Sequence, residues 1–145
     1  MTRKFPLFID LTDKKVLIAG AGTIALRRAS VLLQFGALVT LVAPEAGDLP
    51  EGVRYLKKKY ESRDLEGACL AVAATDDREV NRRVGLDAKA MGIPVSVADA
   101  QEECSFFFPA VCLNDPMVAG VVSDGTDHRK TARAARAIRK CLEEV

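Results

Sequence analysis

Short apolar runs separated by stretches of helical periodicity organise this chain. Val16 to Ala19, Leu38 to Val42, Leu70 to Ala74 and Ile93 to Val97 show little polar alternation, as expected of parallel strands buried on both faces. After the first run, Ile24, Val31, Leu32 and Phe35 recur at helical spacing and predict a helix packed on the sheet, closed by Gly36 as a C′ residue. Leu38 to Val42 completes a right-handed βαβ unit. Val53 to Tyr60 reads as a third strand, with Lys57-Lys58-Lys59 as a solvated edge. Val80, Val84, Ala88 and Met91 mark the buried face of a second helix, capped by Thr75 or Asp76 and ended by Gly92.

Beyond Val97 the pattern changes. Phe106 to Leu113 and Met117 to Val122 predict two strands around an Asn114-Asp115-Pro116 turn. A final helix from about Lys130 places Thr131, Ala134, Ala135, Ile138 and Leu142 on one side and Arg129, Arg133, Arg136 and Lys140 on the other. The expected fold is α/β: a Rossmann-like parallel sheet with helices on both faces over residues 1–113, then a small strand-and-helix segment over 114–145.

Composition narrows the class without changing this picture. Twenty-one basic against 20 acidic residues leave a net charge of +1, so no global field draws nucleic acid or an anionic membrane. No apolar run nears the roughly 20 residues of a membrane span, and Met-Thr-Arg-Lys-Phe-Pro lacks a signal core; a cytoplasmic setting is expected. Cys69, Cys104, Cys112 and Cys141 form no CxxC pair and read as reduced thiols.

The chemistry begins at Gly20-Ala21-Gly22-Thr23-Ile24-Ala25. In this GxGxxA pattern the first glycine makes the turn, the second admits a pyrophosphate, and the small third residue packs helix on strand. Pyrophosphate oxygens would meet the helix N-terminus near Thr23 and Ile24. The acid that usually holds the adenosine ribose at the end of the second strand is missing, because Ala43-Pro44-Glu45 occupies that place. No basic residue there offers a handle for a 2′-phosphate either, which favours NAD over NADP.

In order and spacing, the whole set resembles the precorrin-2 dehydrogenase and sirohydrochlorin ferrochelatase family, the dehydrogenase module of siroheme synthases. The resemblance runs from Phe5-Pro6-Leu7-Phe8 to the C-terminus. It rests on Gly20-Ala21-Gly22 with Arg27-Arg28, Gly36-Ala37, Val42-Ala43-Pro44, Ala73-Ala74-Thr75-Asp76-Asp77 with Val80-Asn81, Ile93-Pro94-Val95 with Val97-Ala98-Asp99, Cys104 with Phe106, Pro109-Ala110, and Ser123. It implies NAD-dependent oxidation of precorrin-2 to sirohydrochlorin, with ferrous iron insertion in some members, and a homodimer formed through the C-terminal strands and helix. It also adds Ala43, Pro44, Ala74 and Thr75 to the cofactor contacts of Gly20, Gly22, Thr23 and Ile24.

Asp99 matches the family's functional aspartate and is expected to accept a proton or handle the metal. Ser96 stands where asparagine is common in the family, and Asp127-His128-Arg129 replaces its usual glycine and Ser-Pro sequence. His128, the single histidine, suits ferrous iron and proton transfer, so Asp99 and His128 are the candidate metal ligands, and His128 with Asp124 is expected to assist metal or tetrapyrrole binding. Precorrin-2 carries eight carboxylates, and the expected contacts are Ser123, His128, Arg129, Arg133 and Arg136. The competing class is an NAD-sensing regulatory module without turnover.

Overall fold

The apolar runs become β1 (Lys15–Ala19), β2 (Leu38–Ala43), β4 (Ala68–Ala73) and β5 (Val95–Val97), with β3 (Arg54–Lys57) at one edge, in a computed structural model that describes residues 2–145. All pairings in this five-stranded sheet are parallel, in the order β3-β2-β1-β4-β5. Val16, Leu17, Ile18, Leu41, Val72, Val95 and Val97 are sealed from solvent, each large side chain stabilising the fold by about 1.5–3 kcal/mol.

Helix α1 (Thr23–Leu33) crosses from β1 to β2. It buries Ala25, Ala29 and Leu32, while Ile24 is exposed and Val31 and Phe35 are only half-buried. The expected face is therefore corrected toward the alanines, whose small side chains form the buried surface. The helix ends as expected at Gly36, which adopts φ +77°. Its N–H donates to Leu33 O at 3.1 Å and that of Ala37 to Leu32 O at 3.4 Å, the two bonds of a Schellman closure.

Helix α2 (Arg78–Ala90) is capped by Asp77, whose carboxylate accepts from the N–H groups of Glu79 and Val80. Thr75 and Asp76 are not the cap. Its buried face holds Asn81, Val84, Gly85 and Ala88, whereas Met91 is exposed. β3 is shorter than expected, because Lys58 turns out of the strand to pair with Asp64 at 2.7 Å. Only part of the lysine run is thus a solvated edge.

A second unit comprises Phe107–Val145 with the N-terminal residues up to Phe8, the first being Ile9–Phe106. Here β6 (Ala110–Asn114) and β7 (Met117–Val121) form an antiparallel hairpin against which α3 (His128–Glu143) packs. Among the described residues β6 pairs with β7 alone, and the units divide after Phe106 rather than after residue 113. Phe106 to Pro109 is irregular instead of strand, and α3 starts two residues earlier than expected because Asp127 caps it, accepting from Lys130 N–H at 3.0 Å. Its packed face is the expected one: Ala135 is buried and Thr131, Ala134, Ile138 and Leu142 are half-buried. Among the described residues no helix is long and apolar enough to cross a membrane.

Candidate nucleotide site at the carboxyl edge of the sheet

The registers Ala19↔Val42, Ala19↔Ala73 and Ala73↔Val97 level the strand ends. Gly20, Ala74 and Ala98 therefore begin their loops in one row, level with Ala43, the last residue of β2. Chain order runs outward from β1 to β2 on one side and to β4 on the other, which puts the switch point, where open α/β sheets take ligands, between β1 and β4. The cofactor residues expected from the sequence all lie along this edge, and Asp99 follows one residue beyond its row.

Gly20 adopts φ +116°, and a Cβ there would stand 2.2 Å from the Ala74 carbonyl oxygen. Only glycine lets the β1 turn press against the end of β4 in this way. Gly22 serves another purpose. It caps α1 in an extended conformation, φ −82°, with no side-chain bond and no acid in the first turn, and a Cβ on it would meet nothing within 4 Å. The first bond of the helix is Leu26 N–H to Gly22 O at 3.0 Å, so the N–H groups of Thr23, Ile24 and Ala25 have no partner within the helix. An open approach to uncapped N–H groups, with no acid in the first turn, fits a pyrophosphate.

At the end of β2, the Ala43 carbonyl accepts from Tyr55 Oη at 2.9 Å and Lys58 N–H at 3.2 Å, and Pro44 is exposed beyond it. At the end of β4, Thr75 is held by Asn81, which is wholly buried. Beyond β5 the chain makes a 3-10 turn over Gln101–Glu103 and returns along the strand. Cys104 Sγ accepts from Val97 N–H at 3.1 Å, and Ser105 N–H donates to Val95 O at 2.8 Å. Asp99, at the top of this return, is exposed and its Oδ1 accepts from Arg78 Nη1 at 2.8 Å; the second arm of Arg78 meets Glu103. Beneath the loop, Arg28 Nη1 donates to the buried Ser96 Oγ at 3.1 Å, and burial pulls the Arg28 guanidinium below its ordinary pKa.

The expected substrate residues belong to the second unit. Ser123 Oγ accepts from Thr131 Oγ1 at 2.9 Å and from Gly125 N–H at 3.2 Å, tying the loop to α3. Thr126 donates to Asp124 through both its hydroxyl and its N–H, which holds that carboxyl below its ordinary pKa. His128 is the first residue of α3 and is exposed, as are Arg129, Arg133 and Arg136 along the helix. Among the described residues no group of three or more His, Cys, Asp or Glu side chains is arranged to hold a metal ion.

Two residues of this edge escape the sequence reading. Asn81 stands at i, i+3 and i+7 with Val84 and Ala88, so a polar residue on an apolar stripe was the available signal. Arg78 meets Asp99 across 21 positions, and no local pattern signals that pairing.

Comparison with known proteins agrees with this geometry. A family model described as "Putative NAD(P)-binding" matches residues 7–110. The chain is 49% identical over 144 residues to a probable multifunctional siroheme biosynthesis protein of Ruminiclostridium josui, covering 94% of this chain and 28% of that protein. It is 45% identical over 127 residues to the siroheme synthase of Methylobacillus flagellatus, covering 83% and 27% respectively. The corresponding values for the Azotobacter vinelandii siroheme synthase are 44% over 138 residues, 91% and 30%. The chain thus spans under a third of these relatives. Among solved structures, SirC, a precorrin-2 dehydrogenase, superposes with a TM-score of 0.75 at 27% identity, over 95% of this chain and 71% of that one. With its nucleotide-type sheet edge and these relatives, the chain belongs to the siroheme synthase N-terminal dehydrogenase family, whose core is an NAD(P)-binding domain.

Proposed function

We propose that the chain oxidises precorrin-2 to sirohydrochlorin with NAD, in the cytoplasm, as a step of siroheme biosynthesis. The observation that carries this reading is the open, uncapped start of α1 behind Gly20, on the same sheet edge as the exposed carboxylate of Asp99. The names of SirC and of the siroheme synthases support the substrate.

NAD, when bound, supplies the hydride acceptor. The chain's residues bind and orient. N–H groups at Thr23 and Ile24 take the pyrophosphate, Gly22 leaves it room, and the backbone at Ala43-Pro44 and Ala74-Thr75 borders the rest of the dinucleotide. Loss of hydride from the macrocycle is matched by loss of a proton, and Asp99 accepts it through Oδ2, the oxygen that Arg78 leaves unbonded. The tetrapyrrole's carboxylates are met by Arg129, Arg133 and Arg136, spaced along one face of α3, with Ser123 and His128 at its start. Ferrous iron is a second substrate, for which the exposed imidazole of His128 is the candidate ligand within its own unit. Exposed Leu113, Val118 and Val122 on and beside the hairpin support self-association into a homodimer.

The test is anaerobic incubation of the chain with precorrin-2 and NAD. NADH and the sirohydrochlorin spectrum are expected to appear together; NAD binding without either product would leave the sensing reading. Ferrous iron added to sirohydrochlorin, with the parent chain and His128→Ala compared, tests the second activity. Sedimentation tests the dimer.

A further inference from the structure

We infer that Arg78 is a positioning residue for the oxidation, holding Asp99 in the orientation in which it takes the proton; this rests on the role proposed for Asp99. Three observations carry it. Arg78 opens α2, immediately after the Ala74–Asp77 segment that borders the cofactor turn. Its Nη1 lies 2.8 Å from Asp99 Oδ1, and its Nη2 bonds Glu103 Oε1. These two acids stand at either end of the return that follows β5, so one planar guanidinium spans the loop and fastens it to the helix. Asp99 Oδ2 has no hydrogen-bond partner among the described residues, so the clamp occupies one oxygen of this exposed carboxylate and leaves the other unengaged.

Stability does not account for this arrangement. The Arg78 and Asp99 side chains retain 41% and 40% of their exposure, and ion pairs so open to water contribute little to folding. Geometry is what such a pair supplies. A carboxylate on an exposed loop must be in place when the substrate's proton leaves, and small misplacement of a reacting group costs rate far more than affinity. Arginine suits the task better than lysine, because only a fork reaches both acids in fixed relative orientation.

The experiment compares the parent chain with Arg78→Met, Arg78→Lys, Asp99→Asn and the Arg78→Met/Asp99→Asn double variant. Each is assayed for kcat and KM with precorrin-2, for Kd with NAD alone, and for thermal midpoint. Arg78→Met is expected to lower kcat about tenfold or more, with KM and the NAD Kd within about twofold and the midpoint unchanged. Arg78→Lys keeps a cation near Oδ1 but cannot bridge Glu103, and recovers part of the rate. The double variant is no slower than Asp99→Asn, since a lost carboxylate needs no aiming. If Asp99→Asn is slow while Arg78→Met retains parental kcat, the positioning role is overturned and the reading of Asp99 stands. A change confined to KM, or additive losses in the double variant, also overturns it, because Arg78 would then act on substrate directly or elsewhere. Parental rates in Asp99→Asn overturn the reading of Asp99 and the inference together.

Discussion

Asn81 and Thr75 are joined by three hydrogen bonds. Asn81 Oδ1 accepts from Thr75 N–H at 2.9 Å and from its hydroxyl at 2.6 Å, while Asn81 Nδ2 donates to the Thr75 carbonyl at 3.0 Å. The amide thereby does for the end of β4 what another strand would do, satisfying both backbone groups where the ladder has stopped. The peptide it fixes is the one against which Gly20 is pressed, with Thr75 N 2.9 Å from the place a Gly20 Cβ would take.

Asn81→Ala would leave the half-buried Thr75 backbone without these partners and empty the wholly buried site of the Asn81 amide. The expected cost is about 2–3 kcal/mol of stability, read from urea unfolding. NAD affinity is expected to fall about tenfold as the 74–75 peptide loosens, read by titration. Parental affinity in a destabilised Asn81→Ala chain would separate this amide from the nucleotide site.

The two glycines of the turn should fail in different ways. Gly20→Ala forces a Cβ into a left-handed φ and to 2.2 Å from a backbone oxygen, at an expected cost of about 3 kcal/mol or more. Gly22→Ala meets no protein atom within 4 Å, so its thermal midpoint should stay within a few degrees of the parent, an alanine cap costing about 1 kcal/mol or less. Its NAD affinity should nevertheless drop about tenfold or more, because the methyl projects into the space left for the pyrophosphate. Equal binding by Gly22→Ala and the parent chain would refute the placement of the dinucleotide.

These contrasts also explain what could be read before the fold was known. The glycine turn was legible because its demands are local: a left-handed residue and a helix start lie within three positions of each other. The strand ends were legible because parallel strands carry continuous apolar runs, and the packed face of α3 because its Thr131, Ala134, Ala135, Ile138 and Leu142 follow helical spacing on a helix that is otherwise charged. The α1 face differs from the expected one because Ala25 and Ala29 add little to an apolar pattern although, with Leu32, they are the residues the helix buries. Arg78 and Asn81 work through partners chosen by tertiary structure, so neither the clamp on Asp99 nor the lock on Thr75 could be inferred from spacing.

Arg133 and Arg136 test the proposed substrate face. Both are exposed, with Arg129 and Lys140 on the same side of α3, so replacing them should not disturb the packed face. The Arg133→Ala/Arg136→Ala chain is expected to raise the precorrin-2 KM about tenfold at low salt and to flatten its dependence on ionic strength, since fewer charges remain to be screened. Parental KM values across a salt series would make this stripe a solvated helix face.

Tyr60 gives the fold an alkaline limit. The side chain is 5% exposed, its hydroxyl donates to Asp87 Oδ2 at 2.8 Å, and Arg83 lies 5.2 Å over its ring while donating to its carbonyl at 2.7 Å. Burial foremost, then the bond to Asp87, pushes the phenol well above its ordinary value of 10. A raised pKa means that folding favours the neutral form. The associated stability is therefore fully present below about pH 10, where the unfolded phenol is also neutral, and is lost as pH rises beyond it at up to about 1.4 kcal/mol per pH unit. Urea unfolding of the parent and Tyr60→Phe chains at pH values on either side of 10 isolates this contribution, because the two chains differ in that one phenol alone. Tyr60→Phe is expected to be less stable by about 1 kcal/mol near neutrality and to lose stability less steeply in base, so that the two curves converge above pH 10. Parallel curves would show that the phenol ionises as freely in the folded chain as in the unfolded one.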